Sequence, residues 1–268
     1  MIEFFIFFAM LLQDNYQNER QQAVKLKVMY NIRKPYMKPD SRLAEIVRSN
    51  PSMLYVLEYF QADYMIREMT VSEFCGEHQI DVNLFVAISN IYNGFPTESK
   101  LNLDAACIPV VIQFLRNTHF YYRNEKYPEI QSLIDELRKV NNAAEIGILE
   151  KFFAEYYAEV DEHLTYEDRV AFPYFEALYR KFTGSADAGA IAKFSASEYR
   201  DHHTDIEYKL DEIKNLLIRY IPVGHDRTVR RKLLTALNDV ESNLNAHSAI
   251  ESHILMPLVI DVEKKLAR

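Results

Sequence analysis

Apolar residues recur at helical spacing through long stretches of this chain, while alternating runs of the β type are hard to find. Only 6 of 268 residues are glycine. The pattern predicts an all-α protein. From Asp104 onward four long helical patterns follow, roughly 104–140, 143–182, 190–220 and 226–266. Their separators are Asn141-Asn142, the loop Thr183 to Gly189, and Pro222-Val223-Gly224-His225. Short connections between long amphipathic helices predict antiparallel neighbours, hence an up-down-up-down four-helix bundle.

A small helical module precedes the bundle. Asp40 and Ser41 are placed to cap a helix running through Ser49, and Asn50-Pro51 breaks it and starts the next. Thr70-Val71-Ser72-Glu73 has the form of a capping box before a third helix. Asp81 opens a fourth, ending near Tyr92. The stretch 93–100 has linker composition. The expected division is an N-terminal extension (1–38), a small helical module (39–95) and the bundle (101–268).

Composition narrows the function. Hydrophobic residues make up 49% and charged residues 26%, ordinary for a soluble globular protein. A net charge of −8 argues against nucleic acid as a partner, because phosphate neutralisation needs clustered Lys and Arg. The short run Arg227, Arg230, Arg231, Lys232 reads as a solvated helix face. Two cysteines, Cys75 and Cys107, make no disulfide framework and no metal-type spacing, which favours a reducing cytoplasm. Met1 to Leu12 is apolar but too short to span a bilayer, has no basic leader and precedes no small-residue cleavage site. It reads as a segment packed on the body or an overextended start. No membrane association is expected.

The chemistry lies in an internal repeat. His163 to Glu167 followed by Pro173, and His247 to Glu251 followed by Pro257, both read His-x3-Glu-x5-Pro. His119 and His203 each stand 44 residues ahead of the corresponding motif, so the second half repeats the first at an offset of 84. The break at Asn141 and the loop at His225 each lie 22 residues from both histidines of their half. A helix climbs about 33 Å over 22 residues and an equal return descends as far. Each pair therefore meets at one level of its hairpin. Within a motif, i,i+4 spacing sets imidazole and carboxylate on one helix face.

His119, His163, Glu167, His203, His247 and Glu251 are thus the candidate ligands of a two-metal site, with each carboxylate able to bridge. Isolated His-x3-Glu pairs are weak evidence, since eight histidines among this many glutamates give roughly 0.7 by chance. Three occur, the third being His203/Glu207; the matched spacings and prolines carry the weight. Glu207 corresponds to Arg123 in the first half and is read as a surface or supporting group. His202 and His253 are read as facing elsewhere, and His225 and His78 as ordinary surface residues. Tyr122, Tyr166 and Tyr199 are candidates to line the site, against the plainer reading as core.

On these motifs, running from Glu162-His163 to Phe172-Pro173 and from His247 to Met256-Pro257, the sequence resembles the hemerythrin-like proteins, specifically the repair-of-iron-centres family. Leu43 to Phe60, Thr70 to Cys75 and Ile80-Asp81-Val82 resemble that family's N-terminal domain. The chain departs from the pattern where the family carries a Cys-Cys-Gly-Gly turn, reading Asp63-Tyr64-Met65-Ile66-Arg67-Glu68 instead. It departs again where Phe120 follows His119 and relatives often have paired histidines. The resemblance implies two iron ions in a non-haem di-iron centre, of the kind an oxo bridge joins, with two bridging glutamates. It also implies restoration of damaged iron–sulfur proteins under nitrosative or oxidative stress, by iron supply or nitric oxide handling. Alternatives are an O2- or NO-binding carrier or sensor with the small module as relay, and a di-iron oxidase or reductase. Oligomeric state is left open.

Overall fold

The computed structural model describes residues 34–95, 102–185 and 206–267, with side chains described from residue 209 in the last segment. Among them the regular structure is helical apart from one bridge between Arg42 and Thr70. Four short helices come first: α1 (Leu43–Ser49), α2 (Met53–Tyr59), α3 (Val71–His78) and α4 (Val82–Tyr92). Thr70 and Glu73 form the expected capping box on α3, and the Asp81 side chain accepts from the Leu84 amide on α4. The expected cap by Asp40 and Ser41 is not made. Arg42 occupies the N-cap without a side-chain bond. Instead Met69 O receives the Leu43 amide at 3.1 Å, and Ser41 Oγ turns back to accept from Lys38 N.

The bundle consists of four rods, and among the described residues each contains one π-helical turn. The first rod is α5 (Cys107–Tyr121), π1 (Tyr122–Lys126) and α6 (Tyr127–Val140). The second is α7 (Glu145–Tyr166), π2 (Glu167–Ala171) and α8 (Phe172–Phe182). Of the third, α9 (Ile206–Asn215) and π3 (Leu216–Tyr220) fall in the described residues. The fourth is α10 (Arg227–Ile250), π4 (Glu251–Leu255) and α11 (Met256–Leu266).

The prolines account for the π-turns. Every one of these turns ends two residues before a proline: Pro128, Pro173, Pro222 and Pro257. Proline offers no N–H and its ring collides with the carbonyl four residues back. Widening the preceding turn to i→i+5 bonding relieves that collision, and in the first, second and fourth rods the helix then continues. The amides of Tyr127, Phe172 and Met256 accordingly bond the carbonyls of Tyr122, Glu167 and Glu251. The third proline follows the last turn of its rod and helps to end it.

The rods pack in sequence as a closed ring. α6 lies against α7 and α10, α7 against α9, and α9 against α10, while α5 meets α8 and α8 meets α11. Tyr122, Tyr127, Phe153, Tyr156, Phe172 and Phe175 are fully buried in the bundle core, and Phe114 is buried where the small module meets it. The small helices close on the same core, α2 against α5 and α4 against α10.

Arg230 is a correction to the reading of a solvated basic face. It is buried, and its guanidinium serves the carbonyls of Leu217, Ile221 and Pro222 at the end of the third rod. Its counter-ion is Asp226, fully buried at 2.6 Å.

Candidate metal centre

Glu167 opens π2 and Glu251 opens π4, so the 84-residue repeat reappears as two matched local geometries. Each glutamate sits one helical turn after a histidine and turns its carboxylate to that same ring. His163 Nε2 lies 3.1 Å from Glu167 Oε1, and His247 Nε2 lies 3.2 Å from Glu251 Oε1. The two halves join through Glu167. Its other oxygen, Oε2, is 3.3 Å from His119 Nε2 and 3.9 Å from His247 Nε2. One ligand atom from each of His119, Glu167 and His247 lies within 4.8 Å of the others.

Five of the six expected residues therefore converge: His119, His163, Glu167, His247 and Glu251. His203 lies outside the described residues, as do His202 and Tyr199. Phe120 is 63% exposed whereas His119 is 1% exposed, so position 119 is the one that faces inward. His225 and His253 are exposed, and His78 stacks on Phe74 within the small module.

Neighbours that sequence reading missed fix the imidazoles. His119 Nδ1 donates to Asp168 Oδ1 at 2.9 Å. Asp168 is held by Arg123, which also grips Asp161 and the Thr165 hydroxyl. His247 Nδ1 lies 2.7 Å from Thr118 Oγ1, and that hydroxyl gives its single proton to the Leu115 carbonyl at 2.7 Å. His247 must then donate from Nδ1. In both rings Nε2 is the nitrogen left facing the cluster, where neither atom makes a hydrogen bond. Phe172 stacks on His119 at 5.5 Å and Tyr122 meets His247 edge-on at 6.0 Å.

The electrostatics agree with that arrangement. Burial opposes charge on His247, but the carboxylates of Glu251 and Glu167 outweigh it and raise its pKa to about 10. His163 is raised against burial in the same way by Glu167. Burial would lift Glu167, yet His119, His163 and His247 hold it well below the usual carboxylate range. Preoriented Nε2 atoms, on which a metal ion can take the place of a proton, and buried carboxylates are the donor set that borderline divalent ions take. These residues fit a metal.

Comparison with known proteins agrees. Residues 129–259 match the hemerythrin HHE cation binding domain. The match begins after His119 and spans His163, Glu167, His203, His247 and Glu251. An iron–sulfur cluster repair protein, ScdA, of Staphylococcus haemolyticus is 20% identical over 232 residues, covering 81% of this chain and 96% of that protein. The iron–sulfur cluster repair protein YtfE of Dickeya chrysanthemi is 20% identical over 222 residues, with the same coverage. Among the described residues no helix is long and apolar enough to cross a membrane.

Proposed function

We propose that this chain, a hemerythrin-like protein of the repair-of-iron-centres type, holds two iron ions and serves the repair of iron–sulfur clusters damaged by nitrosative or oxidative stress. The observation that carries this reading is the buried meeting of His119, Glu167 and His247, flanked by His163 and Glu251. With His203 they would make a six-ligand set, in which Glu167 and Glu251 would be the carboxylates shared between the ions. Non-haem iron bound there would supply redox chemistry, affinity for a small gas such as O2 or NO, and a store of releasable iron.

The chain's own part is to exclude water and to keep the histidine Nε2 atoms aimed. Asp168 and Thr118 hold the rings, and Phe172 and Tyr122 close the site. The turn Asp63 to Glu68 offers no thiol, and both free cysteines are buried, so repair rests on the metal centre alone. Two unpaired cysteines also favour a reducing, cytoplasmic setting. Damaged iron–sulfur proteins are the partners this role requires.

The test is recovery of a nitric-oxide-damaged iron–sulfur enzyme by the diferrous protein, with iron transfer and nitric oxide consumption followed separately. Recovery that is lost in Glu167→Ala supports repair. A second reading is favoured by the contact of the small module with α10 beside His247: a carrier or sensor of O2 or NO with that module as relay. Reversible gas binding with iron retained and no recovery would select it.

A further inference from the structure

Tyrosines form a continuous series between the histidine–carboxylate cluster and the outer edge of the small module. Tyr122 meets His247 at 6.0 Å, Tyr121 meets Tyr122 at 5.8 Å, and Tyr55 meets Tyr121 at 5.1 Å between ring centroids. All are contact distances for aromatic rings. Tyr59 branches from the series at 5.9 Å from Tyr121 and 6.0 Å from Tyr55.

Packing alone does not explain these residues. Phenylalanine fills the same space without burying a hydroxyl, whose desolvation is costly unless it is bonded. Here the hydroxyls are bonded in order. Tyr121 donates to Tyr55 at 3.1 Å, and Tyr55 donates to Asp239 Oδ2 at 2.8 Å. Tyr59, Tyr92 and Tyr122 all donate to Asn243 Oδ1. Asp239, Asn243 and His247 follow one another at i,i+4 spacing along α10, so the ring series and a polar stripe run side by side. Lys126 balances the charge of Asp239 at 2.6 Å.

We propose that Tyr122, Tyr121 and Tyr55 are an electron relay into the metal centre, ending where Tyr55 can pass its phenolic proton to Asp239. The inference rests on the metal reading above for where electrons are delivered. Oxidation of a phenol needs a base for its proton, and the Tyr55–Asp239 pair supplies one at the half-buried end of the series. In the step itself one electron leaves Tyr55 and passes through the Tyr121 and Tyr122 rings toward the oxidised centre, and neither of those rings loses its hydroxyl proton, because the Tyr55 hydroxyl beside Tyr121 and Asn243 Oδ1 beside Tyr122 are not bases for it. The Tyr55 proton crosses to Asp239, leaving a neutral tyrosyl at position 55. The oxidant is hydrogen peroxide: two such turns, with Tyr55 reduced again after each, deliver its two electrons, and with two protons from solvent it becomes two waters.

Each of these electrons is made good from outside. Asp239 and Lys126 line an open groove of about 490 Å³ with Glu129, Arg231 and Lys232 at its walls. Lys126 is already engaged by Asp239 and Glu129, while Arg231 and Lys232 are exposed and suit an anionic reductant of the ascorbate type. It returns one electron to Tyr55 as Asp239 returns the proton.

The experiment has two arms, both on the full chain. In the first, iron is counted, the loaded protein is mixed with hydrogen peroxide, and the frozen sample is read by electron paramagnetic resonance. A tyrosyl signal is expected that disappears in Tyr55→Phe, falls about tenfold in Tyr122→Phe at unchanged iron content, and is quenched by ascorbate. In the second, the metal-free protein carries a photo-oxidant on Phe120→Cys, an exposed position adjoining Tyr121. Transient absorption should show the oxidising equivalent arriving at Tyr55, at least tenfold more slowly in Tyr121→Phe. Less than half an equivalent of iron would sink the metal reading and leave the second arm to decide the relay. A radical indifferent to Tyr55→Phe, or none in the second arm, overturns the relay.

Discussion

Asp168 Oδ1 accepts the Nδ1–H of His119 at 2.9 Å, while its second oxygen is bound by Arg123 at 2.8 Å. Burial works against the Asp168 carboxylate, but His119 and Arg123 hold its pKa below the usual range. It is therefore charged wherever the protein is folded near neutrality, and it fixes which nitrogen of His119 is free. A carboxylate behind a ligating histidine sets both the orientation and the basicity of the ring. Asp168→Ala should weaken metal affinity by about 10–100-fold, measured by competition with a chelator. Equal affinity in the variant would show that His119 is not a ligand or is oriented by something else.

The matched positions in the repeat lead to a second expectation. Glu167→Ala and Glu251→Ala should each lose more metal than Glu207→Ala or His202→Ala. Only the first two carboxylates stand at the openings of π2 and π4, one turn beyond a histidine whose Nε2 they face. Elemental analysis of the four variants after iron-replete, anaerobic preparation checks this. Comparable loss in all four would mean that the repeat misidentifies the ligands.

Much of this was legible in the sequence. The limits of the rods that fall among the described residues follow from apolar spacing and from Asn141 and Pro222, while the start of the third rod lies outside those residues, and the 84-residue offset picks out Glu167 and Glu251. The prolines at 173 and 257 were noticed as markers, but the π-turn each one requires was not drawn from them. Asp168 and Thr118 escaped because their roles depend on contacts across the bundle, 49 and 129 residues away in the chain. Neither stands at a position that the repeat duplicates: Ser252 and His202 are their counterparts. Arg230 was misjudged because charge in a helix reads as solvent-facing until the carbonyls around Pro222 come within its reach.

The shifts at His247 and Glu167 give opposite pH limits to the metal-free protein. His247 is raised from 6.5 to about 10, so its contribution is complete below pH 6.5 and is lost as pH rises through 10. Glu167 is lowered from 4.5, so its contribution is present above pH 4.5 and is lost as pH falls through its depressed value. Metal takes the place of the proton on His247, which makes affinity rise about tenfold per pH unit for each proton released. Thermal melts should therefore diverge from pH 6.5 upward, with the metal-free Tm falling and the loaded Tm holding. Parallel curves would show that binding displaces no proton from this ring.

The last expectation concerns the small module, whose separability the linker composition at 93–100 suggests. We propose that residues 101–268 keep the ligand set but depend on residues 39–95 for stability. Asn243 stands one turn before His247 on α10 and is 3% exposed. Of the three hydroxyls that reach its Oδ1, those of Tyr59 and Tyr92 belong to the module. Asn117 returns a bond to the Tyr59 carbonyl at 2.8 Å, and Phe60 and Tyr59 cover Phe114 at 4.9 and 5.4 Å. Cutting the chain at 101 would open Phe114 and its neighbours to water, at about 1.5–3 kcal/mol for each large apolar side chain uncovered. Two such side chains lower Tm by roughly 10 °C in a domain of this size. Calorimetry on the truncated protein, with iron content measured alongside, should find that loss together with retained metal. A truncated protein as stable as the full chain would show that the tyrosine contacts on Asn243 hold nothing together, and one that cannot load iron would place the boundary elsewhere.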